Sequence, residues 1–160
     1  MKIYYAPEPL PNDTEYKFAV FLAGSIEMGT AEDWQSKVIK MLEDIDCVIF
    51  NPRRPDWDST WVQSIDNPKF KEQVMWELNA LEEADIILMY LAPQTKSPIS
   101  LLELGLHVDK GKLIVVCPEG FWRKGNVDIV CEKYHASQYP TIEEAVKSIR
   151  IDTTSAYFKR

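Results

Sequence analysis

The 160-residue sequence has no Cys-x-x-Cys pair, only two histidines and fewer basic than acidic residues. Each shortage removes a class of function. Cys47, Cys117 and Cys131 are too few and too scattered for a disulfide scaffold. Cys47 and Cys117 sit inside apolar runs, where cysteine acts as a small hydrophobe, and all three are read as reduced thiols of a cytoplasmic protein. With only His107 and His135, no zinc-ligand set is expected. G-x-G-x-x-G is absent, and no Gly-Lys-Ser/Thr forms a P-loop. Lys and Arg number 18 against 25 Asp and Glu, a net charge of -7. The one tight basic cluster is Arg53-Arg54, so a nucleic acid is not the expected partner. No apolar run approaches the roughly 18 residues of a membrane span, and "MKIYYAPEPLPNDTEY" has no apolar core of the signal-peptide kind. Membrane association and secretion are therefore not expected, and a small molecule is the better partner.

What the chain does carry is a regular alternation. Four apolar runs read as strands: Phe18 to Ala23, Cys47 to Phe50, Ile86 to Tyr90 and Leu113 to Cys117. They do not alternate polar with apolar, which suits strands covered on both faces. Between them, Ala31 to Ile45 repeats Trp34, Val38, Met41, Leu42 and Ile45 at helical spacing behind a Thr30 cap. Lys69 to Glu83 carries a stripe of Phe70, Val74, Leu78 and Leu81. Thr141-Ile-Glu-Glu144 matches a capping box opening a last helix, with Ile142, Val146 and Ile149 inward. Such alternation predicts an α/β, doubly wound, mostly parallel sheet of flavodoxin-like or Rossmann-like kind, with helices on both faces. Residues 1–160 are expected to form one domain. The stretch from Asn51 to Pro68 is long for a connection and rich in Trp, Arg and Asp. Following a strand, it should lie at the carboxyl edge of the sheet, where ligands of such folds bind.

Three features converge on that edge. In "LAGSIEMGT", Leu22 to Thr30, Gly24 and Ser25 either turn backbone amides toward a ligand or form an ordinary strand-to-helix turn; Glu27 there would repel a phosphate. Glu77 lies at the margin of the Phe70–Leu81 stripe, either as a solvated helix carboxylate or as a group of the site. Glu103, in "SPISLLELG", also has two readings. Ser100 to Glu103 matches a capping box, but Ser97-Pro98 is the stronger helix start, with Ser as cap and Pro at the first position. The second choice moves Glu103 into the second turn, where capping has no use for it. Spacing alone leaves the two level.

The run "SPISLLELGLHVDKGKLIVVCPEG" resembles the signature segment of the nucleoside 2-deoxyribosyltransferase superfamily, and the resemblance extends from about Lys17 to Asn126. It implies that Glu103 is the catalytic nucleophile and Glu77 an acid that meets the base. It further implies substrate contacts from Phe21, Ala23, Gly24 and Ser25 in "FLAGSI", from Asp85 upstream of the nucleophile, and from Ser97. Asn126 would be a sugar-binding residue supplied to a neighbouring subunit's pocket, and Tyr157 part of a tail reaching a neighbour. Trp57 and Trp61 would either stack on the base or pack the loop, and Arg53 or Arg54 would either meet base carbonyls or pair with Asp56 or Asp58. Ser97 stands where several transferases carry an aspartate, and is similar to the serine with which related deoxynucleoside-monophosphate N-glycosidases hold a 5'-phosphate. Those hydrolases follow Gly-Ser-Ile with a Gly/Arg-rich loop, whereas this chain has Glu27-Met28-Gly29, which favours nucleosides.

The implied activity is transfer of 2'-deoxyribose between nucleobases through a covalent ester on Glu103, with retention and without cofactor or metal. The partners are nucleosides and nucleobases, and the assembly is a homo-oligomer, dimer or larger, with shared active sites. Rival readings are a nucleoside or 5'-monophosphate N-glycosidase and a non-catalytic nucleotide-binding module.

Overall fold

The computed structural model describes residues 1–12, 15–26 and 32–154, the last three by backbone alone. In chain order the elements are β1 (Lys2–Tyr5), β2 (Ala19–Gly24), α1 (Trp34–Met41), β3 (Val48–Asn51), α2 (Pro68–Glu83) and β4 (Ile86–Tyr90). They continue with α3 (Pro98–His107), β5 (Leu113–Val116), α4 (Lys124–Tyr134), β6 (Ser137–Tyr139) and α5 (Ile142–Thr154). Six strands form one sheet in the order β1-β3-β2-β4-β5-β6, and every pairing is parallel. This is the expected doubly wound, flavodoxin-like arrangement with an additional edge strand. Among the described residues, no helix is long and apolar enough to cross a membrane.

The central strands "VIFN", "IILMY" and "LIVV" are buried almost throughout because each face of the sheet carries its own core. Alternate residues Ala19, Phe21, Ala23, Ile87, Met89 and Val115 pack with Trp76, Leu81 and Leu104 of α2 and α3. Their neighbours Val20, Leu22, Ile86, Leu88 and Val116 pack with Trp34 and Val38 of α1 and with Val146 and Ile149 of α5. Strand period two therefore assigns successive side chains to two separate helix layers.

Three elements have no counterpart in the sequence reading, and each lacks the pattern used there. Edge strand β1 is largely uncovered, β6 has three residues with none buried, and α4 buries only Val127 and Cys131. The first helix also differs. It begins at Trp34, with Asp33 accepting a bond from the Ser36 amide at 3.2 Å, and ends at Met41 rather than Ile45. Thr30 and Ala31, the expected start, lie outside the described residues. The closing capping box is present in part: Thr141 Oγ1 accepts from the Glu144 amide at 3.2 Å, and Ile142, Val146 and Ile149 are buried.

Helix α2 forms where expected, behind Asn67, whose side chain accepts from the Lys69 and Phe70 amides. Its buried face is not the predicted one. Phe70, Val74 and Leu78 are only partly covered, while Gln73, Trp76, Ala80 and Leu81 are buried. The buried stripe is thus 73, 76, 80 and 81, and Glu77, itself partly covered, lies between these positions on the same helix face.

Sheet order reverses between β2 and β4, opening the crevice in which such folds bind ligands. Gly24 ends β2 there, paired with Tyr90. Its φ is +130°, and a Cβ would stand 2.1 Å from the Tyr90 carbonyl oxygen. No side chain fits without parting the two strands. Gly24→Ala is expected to destabilise the protein by about 3 kcal/mol or more, lowering Tm by roughly 6–12 °C; thermal unfolding with an unchanged midpoint would contradict this.

Candidate active site

The crevice is built by two loops clasped through hydroxyl groups. Ser25, after β2, is fully engaged. Its amide donates to the Tyr90 carbonyl at 2.9 Å, and its carbonyl accepts from Trp34 Nε1 at 2.9 Å. Its Oγ accepts from the Ala92 amide at 2.9 Å and meets Thr95 Oγ1 at 2.8 Å and Ser97 Oγ at 2.6 Å. Of the two readings of this turn, the Ser25 amide follows the ordinary one: it joins the sheet through the Tyr90 carbonyl. Opposite, the segment after β4 holds two non-glycine residues at positive φ, Gln94 at 62° and Ser97 at 44°. Such strain persists only where surroundings impose it, and the Ser25–Thr95–Ser97 triangle does so here.

That triangle also settles the helix start. Ser97 is the N-cap residue and Pro98 occupies the first turn, but the Ser97 side chain caps nothing, being directed into the triangle. Ser100 lies inside α3, so the capping-box reading of Glu103 falls. Helix α3 is polar inward and apolar outward. Ser100, Glu103, Leu104 and His107 are buried, while Ile99, Leu102 and Leu106 are 60%, 60% and 49% exposed. Its inward face therefore joins the core through Leu104 and also buries Ser100, Glu103 and His107, which core packing does not require.

Glu103, 9% exposed, receives no hydrogen bond from any described residue. Burial, with the Glu77 charge adding to it, pushes its carboxyl up to about 8. Glu77 comes from the inward stripe of α2, and burial raises its pKa as well, opposed by a hydrogen bond from Gln73. Gln73 Nε2 donates to Glu77 Oε1 at 2.8 Å and to the Pro52 carbonyl at 2.9 Å. The Glu77 charge thus disfavours ionisation of Glu103, the direction expected where two carboxyls share a site. Two such carboxyls, one ionised and one protonated, can supply a nucleophile and a general acid. Gln73 and Thr95 were missed in the sequence; the only signal for Gln73 was its place four residues before Glu77 on one helix face.

The remaining expected residues divide. Phe21 and Ala23 are buried in β2, Phe21 with its ring 6.4 Å from that of Trp76. Ser97 is equally buried. Asn126 is exposed in the first turn of α4. Trp57 leans on Trp61 at 5.1 Å, Arg54 pairs with Asp56 and Glu72 and lies over Trp61, and Arg53 approaches Asp33 at 3.5 Å. The loop is packed by its own side chains, as one of the two readings had it. Asp85 is corrected. It precedes β4, at the amino edge, and accepts the Ala19 amide at 2.8 Å, a strand's length from the crevice. Nearby, Lys112 Nζ closes the end of α2 by donating to Leu81, Glu82 and Ala84 carbonyls. That edge is structural. Glu27 and Tyr157 lie outside the described residues. Among the described residues, no three of His, Cys, Asp and Glu gather closely enough to hold a metal ion.

A flavodoxin-like sheet with paired buried acids beside its switch point defines the class of fold and site. The chain belongs to the nucleoside 2-deoxyribosyltransferase-like family, which residues 17–121 match. A crystal structure of a conserved protein from Enterococcus faecalis V583 is similar in fold, with a TM-score of 0.61 at 10% identity, over 84% of this chain and 98% of that one. Among curated proteins, none matches.

A carboxyl raised by folding makes stability fall as pH rises. Between the ordinary value near 4.5 and about 8, the folded state binds more protons at Glu103 than the unfolded state does. Glu103→Gln removes that dependence. The variant is expected to match the parent near pH 5 and to exceed it by on the order of 2–4 kcal/mol at pH 8, at up to about 1.4 kcal/mol per pH unit. Denaturant titrations at the two pH values check this; equal gaps at both would contradict it.

Proposed function

We propose that this protein transfers 2'-deoxyribose between nucleobases, with Glu103 as nucleophile and Glu77 as general acid and base. The observation that carries the reading is the pair of carboxyls on α2 and α3, both raised by burial, with the Glu77 charge acting on Glu103. Family membership supports the same reading.

In the first half-reaction, a Glu103 oxygen attacks C1' from below. The C1'–N bond breaks, its electron pair moves to the base, and the Glu77 proton neutralises the departing nitrogen. The step runs from the form in which Glu103 is ionised and Glu77 protonated, and positive charge accumulating on the sugar stabilises that ionised Glu103. The product is an ester between Glu103 and C1'. In the second half, a nitrogen of the incoming base attacks C1', the ester electrons return to Glu103, and Glu77 recovers the proton. Two inversions give net retention.

The hydroxyl triangle favours nucleosides over 5'-monophosphates. Thr95 donates to the Ala92 carbonyl at 2.8 Å, which leaves Ser25 to donate to Thr95 and Ser97 to donate to Ser25. All three hydroxyl protons then have acceptors within the clasp, and Ser97 has none left for a phosphate.

The outward apolar stripe of α3, Ile99, Leu102 and Leu106, supports association with a second copy, and the exposure of Asn126 supports its reaching a neighbouring site. Leu102→Glu is expected to shift sedimentation toward the monomer and to reduce turnover; an unchanged sedimentation coefficient would contradict the association face.

The activity is tested by chromatography of the protein with deoxyinosine and adenine, beside reactions lacking adenine or starting from the 5'-monophosphate. Deoxyadenosine formed only with adenine is the expected result, and Glu103→Ala should reduce it by about 10³-fold or more without unfolding the protein. Free hypoxanthine with no new nucleoside would replace transfer by hydrolysis, and near-normal turnover in Glu103→Ala would overturn the nucleophile.

A further inference from the structure

We propose that Gln73 is a positioning residue that fixes which oxygen of Glu77 carries the catalytic proton and ties that choice to the loop beginning at Pro52. The inference rests on the reading of Glu77 as the general acid. Gln73 is 4% exposed, and its Nε2 lies 2.9 Å from the Pro52 carbonyl oxygen and 2.8 Å from Glu77 Oε1.

A carbonyl oxygen only accepts, so the contact with Pro52 determines which end of the amide faces it. The amide nitrogen has two hydrogens, one for Pro52 and one for Glu77. Glu77 Oε1 must then be an acceptor in both protonation states. When Glu77 holds its proton, the carbonyl oxygen is the better acceptor for the Gln73 N–H, which favours the proton on Oε2, the oxygen Gln73 does not touch. An unrestrained carboxyl distributes its proton over both oxygens and rotates, whereas general acid catalysis needs one O–H aimed at one nitrogen.

A second observation separates this role from simple packing. Gln73 Oε1 is buried and has no hydrogen-bond partner. Such an orphan acceptor is destabilising, and methionine would fill the same space without it. Retaining glutamine is explained by what Nε2 does. Among the described residues, Gln73 on its own helix bonds Glu77, and Glu103 on α3 is near enough for the two charges to interact. Among these, only Gln73 gives Glu77 a hydrogen bond, and a donor favours the ionised form, holding the acid's pKa below the level that burial alone would set.

The test is the ¹³Cδ carboxyl titration of Glu77 in the parent and in Gln73→Met, with Glu77→Gln to assign the signal, alongside kcat and KM. Loss of the donor is expected to move the Glu77 midpoint, and the alkaline limb of kcat/KM with it, upward by about one pH unit. It should lower kcat about tenfold or more with KM little changed. A midpoint that does not move would overturn the proposal whatever the activity. Should Gln73→Met fail to fold, the parent still decides. The Gln73 side-chain amide resonances must titrate with the Glu77 midpoint, and their independence of it would overturn the proposal. An inactive parent would remove the deoxyribosyl reading alone, because both titrations proceed without substrate.

Discussion

Two carboxyl groups raised by burial are the constraint on which the rest of this structure turns. Burying Glu103 and Glu77 side by side raises both pKa values and is unfavourable to folding at neutral pH. The molecule tolerates this because the acids stand on two helices fixed to a sheet whose strands are covered on both faces. The destabilisation sits at the site, and the compensation sits in the two apolar layers. Carboxyls raised by burial cost stability and are the kind of group that catalysis uses.

The same constraint explains why sequence patterns located the sheet well and the site less well. Strands β2 to β5 are legible because Val, Ile, Leu and Phe dominate stretches covered on both sides. Boundaries agree to within a residue or so there. Helix α2 is misread in phase because its inward stripe includes Gln73 and Glu77, and hydrophobic periodicity therefore selects the neighbouring face. Helix α3 is the extreme case: its leucines at 102 and 106 face outward and its glutamate inward. Local rules fail where a polar group is buried for chemistry. Edge strands β1 and β6 and helix α4 were illegible for a plainer reason, since little of their surface is covered.

Proton placement also links the scaffold to function. Gly24 lets β2 close against Tyr90, Ser25 then locks the β2 turn to the segment after β4, and that segment holds Ser97 at a left-handed φ from which α3 departs. Each step narrows the position of Glu103. On the other side, Asn67 starts α2 and Gln73 joins it to Pro52, narrowing the position of Glu77. Two routes from one sheet edge thus restrict two carboxyls, near enough for the Glu77 charge to act on Glu103.

The central claim is that Glu103 forms a covalent bond to the sugar. Mass spectrometry of the protein quenched during reaction with a 2'-deoxynucleoside, without acceptor base, tests it most directly. The account predicts a mass increase of one deoxyribosyl group, localised to Glu103 on the peptide that carries it and lost when a nucleobase is added before quenching. An adduct on another residue, or base release with no adduct under conditions that preserve acyl esters, would contradict it.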